Sequence, residues 1–185
     1  PDFASLEAQL QDENDRPRFV FVTADHQNPL GTCWTMPARH EFLKMMNKYD
    51  IPVVEDATYR DLTYDGMPHT PLRALDPDVV YVGTFSHSLM PGLRIGFVLC
   101  RGRLRDHIER LKAISSGPGE TLNHRALADF LSTGEYERHL ERIIVLDVHL
   151  LVQGRTVEDA RTVGFLEVLQ SLDLVAEIGL DADDA

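Results

Sequence analysis

The stretch VVYVGTFSHSLMPGLRIGFVLC (79–100) decides the fold. Its first part, VVYVGTFS (79–86), is a β-branched and aromatic run with the character of a buried strand, and RIGFVLC (94–100) is a second. Pro91 and Gly92 mark a turn between them. Upstream, IPVVEDA (51–57) and RFVFVT (18–23) are runs of the same kind, and the latter stops at Asp25, His26, Gln27, Asn28 and Pro29, a cluster that favours turns. Helical patterns fill the intervals. From Pro37 to Tyr49, Phe42, Met45, Met46 and Tyr49 share one face and Pro37 suits a first helical turn. At the start of the chain Phe3, Leu6 and Leu10 form a helical stripe behind Asp2, a natural N-cap. Strands and helices alternating at this spacing predict an α/β layer architecture with a mostly parallel sheet.

Beyond Arg101 the strand signals stop. The pattern predicts helices over 102–115, 121–132 and 135–152, with a further helical stretch at 157–176 and the clearest break at Gly117, Pro118 and Gly119. The segment IIVLDVHLLV (143–152) is apolar on nearly every side, which suits either deep burial or a change in the character of the chain.

With 185 residues, 43% of them hydrophobic and 26% charged, the composition is that of one folded domain rather than a disordered segment. A net charge of -12 removes the basic footprint that contact with nucleic acid requires. Asp181, Asp183 and Asp184 contribute part of it in an acidic tail. Cys33 and Cys100 are too few for a disulfide framework, so a reducing, cytoplasmic setting is expected. No apolar run reaches the length of a membrane span, and no signal segment is visible. Pro1 in place of Met sets the start after processing or inside a longer reading frame. His26, His40, His69, His107, His124, His139 and His149 show no metal-like spacing, and no metal is expected; no glycine-rich nucleotide loop is found either.

Four short motifs carry chemistry together: HQNPLG (26–31), VVEDATY (53–59), GTFSHS (83–88) and PGLRIG (91–96). In this order and spacing they resemble the large domain of fold-type I aminotransferases, which use pyridoxal 5'-phosphate (PLP). Within that group they are most similar to the branch holding 2-aminoadipate and kynurenine aminotransferases and the MocR-type regulators. The resemblance implies a mostly parallel sheet with one antiparallel strand, helices on both faces, and a small-molecule amino acid as substrate. It covers residues 1–140, taken as part of the PLP-binding large domain, and leaves 141–185 as a divergent helical tail without the small domain.

Residue by residue, the resemblance puts Asp56 at the pyridine nitrogen, where a carboxylate keeps the ring protonated and able to accept electrons. Asn28 and Tyr59 stand where side chains donate to the cofactor's 3-oxygen. Arg94 stands where a guanidinium fork grips the phosphate, with Thr84 and Ser86 as additional hydroxyl donors. Each has an ordinary structural role open to it as well: Asp56 and Asn28 as turn residues, Tyr59 as a half-buried aromatic, and Thr84 and Ser86 as partners of local backbone. His87 falls where the family has its Schiff-base lysine. Imidazole has no primary amine and cannot form that bond, although it titrates near neutrality and suits a general base.

Three consequences are open for His87: a non-catalytic domain, an enzyme that holds PLP without a covalent bond, or a loop histidine in a chain that no longer binds cofactor. The function is correspondingly an aminotransferase or its descendant, the effector-binding domain of a MocR-type transcription regulator, or a silent partner subunit. The upstream glycine-rich turn, the ring-stacking aromatic and the carboxylate-binding arginine that the resemblance implies are not located here. The resemblance also implies a dimer, and an uncovered sheet edge calls for a partner strand; a homodimer or a pairing with a related chain is expected.

Overall fold

The computed structural model describes residues 1–13, 16–64, 69–117, 119 and 121–152; the helical stretch expected at 157–176 and the acidic tail lie outside them. The four β-branched runs form β1 (Val20–Val22), β2 (Val53–Asp56), β3 (Val80–Thr84) and β4 (Gly96–Leu99) in one sheet of order β1-β2-β3-β4. The first three strands are parallel and β4 is antiparallel to β3. Helices α1 (Phe3–Gln11), α2 (Met36–Lys48) and α3 (Leu72–Leu75) precede β1, β2 and β3 in turn. Between β3 and β4 the chain makes only a loop with a 3-10 turn at Pro91–Leu93. Without a crossover helix the chain returns antiparallel.

One face of the sheet carries the core. Val20, Val22 and Val53 pack against Leu10, Phe42, Met46 and Leu72 from the three helices. Of these three helices, α1 and α2 begin on side-chain caps: Asp2 accepts from the Ser5 N–H at 3.0 Å, and Thr35 accepts from the Ala38 N–H at 3.4 Å. On the buried stripe of α2 stands one charge, Arg39, paired with Asp25 beyond β1; both are almost fully buried. Arg39 also donates to the Trp34 carbonyl at 3.1 Å, so this ion pair ties the loop after β1 to the start of α2. On the opposite face the register sets Phe21, Val54 and Val80 side by side, with Val82 beside Val98 in an adjacent row. There Phe21 is 59% and Val98 42% exposed.

Past β4 the chain is helical, as the pattern predicts: α4 (Gly102–Ser115), α5 (Thr121–Ser132) and α6 (Glu135–Val152). No residue of α4 is buried. Phe130 of α5 and Tyr136 of α6 pack instead on Phe85 and Leu89, which follow β3. The Tyr136 hydroxyl donates to Asp61 Oδ2 at 2.7 Å and accepts from Ser88 Oγ at 2.7 Å, while His139 Nε2 meets the Ser88 carbonyl at 3.0 Å. Burial, reinforced by the Asp61 carboxylate, holds the Tyr136 phenol far above its usual titration range. α6 continues unbroken past residue 141, and among the described residues no helix is long and apolar enough to cross a membrane.

Candidate functional site

The chemically distinctive residues gather outside the carboxyl ends of the parallel strands, the place where open α/β sheets bind ligands. Asn28 lies in the loop after β1, Asp56 ends β2 with Tyr59 three residues on, and Thr84 ends β3 with Ser86 and His87 beyond it. β2 and β3 are adjacent, with Asp56 in register with Val82 and the Ala57 N–H donating to the Val82 carbonyl at 2.9 Å. This brings the loops after these strands together. Tyr59 and His87 stack there, ring centroids 4.5 Å apart and planes 18° from parallel.

Each loop has a local reason for its shape. The first is folded back on itself: the Trp34 N–H reaches the Ala24 carbonyl at 2.9 Å and the Gln27 N–H reaches the Thr32 carbonyl at 3.1 Å. Gly31, at φ +65°, turns it. Asn28 is exposed at its tip, and a cleft runs between Asn28 and Tyr59, walled by Gln27, Pro29, Leu62 and Tyr64. In the second loop Asp56 Oδ1 accepts from the Thr58 N–H at 3.1 Å, the turn role open to an aspartate at a strand end. In the third, the Thr84 hydroxyl donates to the Ile95 carbonyl and accepts from the Ser86 N–H, both at 3.1 Å, while Ser86 is buried. Gly83 just before it lies under the ring of Phe97 from β4, and a Cβ there would overlap that ring.

Arg94 stands apart from the Asn28–Tyr59 cleft. It has a left-handed backbone at φ 52° and is exposed in a second cleft with Lys112, Ser116, Asn123 and His124. The clustering of Arg94 and Lys112 there suits an anion. The strand ends thus bring together Asp56, Tyr59, Thr84, Ser86 and His87, leave Asn28 at the rim, and place Arg94 in a neighbouring cationic cleft.

Missed by motif reading are the side chains that hold these loops. Asp25, next to HQNPLG, pairs with Arg39 and with His69 Nδ1 at 2.8 Å. Tyr136 and His139 of α6 fasten Ser88, the neighbour of His87. The sequence of α6 predicts its helix but not which polar groups it meets.

Comparison with known proteins identifies the family to which this fold belongs. The family described as "Aminotransferase class I and II" matches residues 1–152. A probable rhizopine catabolism regulatory protein, MocR, of Rhizobium meliloti is 36% identical over 72% of this chain and 28% of its own length. An uncharacterised HTH-type transcriptional regulator of Bacillus subtilis is 33% identical over 77% of this chain and 31% of its own. The crystal structure of LysN, the α-aminoadipate aminotransferase of Thermus thermophilus, solved with N-(5'-phosphopyridoxyl)-L-leucine, superimposes with a TM-score of 0.73 at 32% identity. That match covers 79% of this chain and 38% of the enzyme. The chain thus spans about a third of the length of the proteins it matches. It belongs to the class I and II aminotransferase family, homologous to both the free enzymes and the MocR-type regulators.

Proposed function

We propose that this chain is a PLP-binding domain of aminotransferase type, acting on α-amino acids or descended from enzymes that do, in which His87 stands at the position of the Schiff-base lysine. The observation that carries the reading is the convergence of Asp56, Tyr59 and His87 at the ends of β2 and β3, with His87 stacked on Tyr59. The donor set fits the group: a carboxylate for a pyridinium nitrogen, a phenol and a carboxamide for a ring oxygen, hydroxyls and a guanidinium for a phosphate. When bound, PLP supplies an electron sink for bonds at an amino acid's α-carbon.

In this reading Asp56 holds the proton on the ring nitrogen. Asn28 and Tyr59 donate to the 3-oxygen, and Ser86 binds the phosphate together with Arg94, which must turn toward it from the neighbouring cleft, while the Thr84 proton stays on the Ile95 carbonyl. His87 lacks the amine that would attach the cofactor, so binding is non-covalent. Its imidazole has the capacity to accept a proton, but the transfer of an amino group by the family's usual covalent route is impaired.

The test is equilibrium binding of PLP and of its amine form to the parent chain and to His87→Lys, followed by borohydride reduction. Retention of both forms by both proteins, with a reduced cofactor adduct on His87→Lys alone, is the expected result. If neither protein retains either form, the cofactor reading fails.

A second reading is favoured by the regulators among the relatives: the domain senses an amino-acid-like effector for a transcription factor. A winged helix-turn-helix encoded upstream in the same reading frame supports it. A start codon close to the aminotransferase domain supports the enzyme.

A further inference from the structure

His26, Cys33 and His69 place one potential metal-ligating atom each within 4.8 Å of the others, although none is near another in a metal-like sequence spacing. His26 and Cys33 belong to the folded-back loop after β1, and His69 lies just before α3. All three are half-buried. The surrounding hydrogen bonds set which atoms carry lone pairs. The Thr63 hydroxyl donates to the Arg60 carbonyl at 2.9 Å, so at its 3.1 Å contact with His26 Nε2 it acts as the acceptor. The His26 proton is therefore on Nε2, and the lone pair of Nδ1 faces Cys33 Sγ at 3.5 Å. In the same way the Asp25 carboxylate, an acceptor, meets His69 Nδ1 at 2.8 Å and holds a proton there, so Nε2 is the ring nitrogen that would face a metal. The His26 backbone N–H points at Cys33 Sγ at 3.3 Å and so fixes the sulfur beside the ring.

We infer that His26, Cys33 and His69 form a His2Cys binding site for a zinc-class divalent cation, its remaining position open to water. Imidazole and thiolate are the ligands such an ion prefers. With zinc–nitrogen and zinc–sulfur bonds of about 2.0 and 2.3 Å, a tetrahedral centre separates N from S by roughly 3.5 Å. His26 and Cys33 already have that separation. His69 brings a ring nitrogen within 4.8 Å of both and completes the set by turning Nε2 toward them. Asp25 behind His69 is the carboxylate–histidine arrangement that orients metal-bound imidazoles, and Arg60 holds the His69 carbonyl at 3.0 Å. The ion would pin the loop bearing Asn28 to the segment before α3. None of its ligands belongs to the residues assigned to PLP, so the site stands whether or not PLP binds.

The test is titration of the metal-free, reduced chain with Zn2+ and, as a spectroscopic substitute, Co2+, without PLP. One equivalent of Co2+ is expected to give the intense visible bands of a four-coordinate site together with a near-ultraviolet thiolate charge-transfer band. Cys33→Ser should abolish the latter, and His26→Ala and His69→Ala should weaken binding about tenfold or more. Cys100→Ser and His107→Ala should change neither. Because a loop variant can misfold, alkylation of the parent chain gives an independent reading: Zn2+ should slow modification of Cys33 and leave Cys100 unaffected. Binding unchanged in all three ligand variants, or equal alkylation of Cys33 with and without Zn2+, overturns the site.

Discussion

Glu55 is a carboxylate on the core face of β2, 1% exposed, and its oxygens accept the backbone N–H groups of Leu72 and Arg73 at 2.8 and 2.9 Å. Burial raises its pKa above the ordinary 4.5, more than these two hydrogen bonds lower it. A proton therefore stays on the folded chain to higher pH than on the unfolded one. The associated stability is complete below 4.5 and falls as pH rises through the elevated folded value. Glu55→Gln keeps one acceptor oxygen and should cost on the order of 1 kcal/mol at acid pH for the N–H left unmatched. Urea unfolding across the acid-to-neutral range should show the decline in the parent chain and a flatter profile in Glu55→Gln. At this scale the sequence was only partly legible. Asp56, Tyr59 and His87 belong to contiguous motifs, so their meeting at the strand ends follows from parallel pairing. The partnership of Asp25 with Arg39 and His69, and the approach of His69 to Cys33, join residues from separate segments and leave no periodic trace.

Among the elements, the loop after β3 depends on α6 more than on its own strand. Tyr136 contacts both Ser88 and Asp61, thereby joining that loop to the loop after β2 through one phenol. Tyr136→Phe keeps the ring packed on Phe85 and removes only these two hydrogen bonds. A loss of about 1–2 kcal/mol in urea unfolding is expected, because Ser88 is buried and cannot turn to water. Amide exchange at His87 and Ser88 should accelerate in the same variant, since the loop would keep the ring packing on Phe85 but only the His139 hydrogen bond from α6. The helices and strands themselves were legible in the sequence, since β-branched runs and three-to-four spacing each mark one element. α3 was not, because four residues after Pro71 are too few to show a helical period. Its formation depends on Glu55 from the neighbouring strand.

For the molecule as a whole, the described residues cover the β1–β3 part of one face of the sheet and leave apolar side chains on the other. Phe19 and Phe21 are both more than half exposed, and β1 and β4 form the two edges of the sheet. Such a surface is partnered in stable proteins, and an open edge invites strand addition. The chain spans about a third of its relatives' length, so a related segment has the same surface to cover in those proteins. We predict that the isolated chain self-associates through this face. Sedimentation velocity at micromolar concentration should show a dimer or larger species. Phe21→Lys, which puts a charge on the exposed row but leaves the Val20, Val22 and Val53 side untouched, should shift it toward monomer with unchanged circular dichroism. Two outcomes separate the causes. If Phe21→Lys restores the monomer, the apolar face drives association; if the parent sediments as a monomer at every concentration, neither face nor edge acts as a contact.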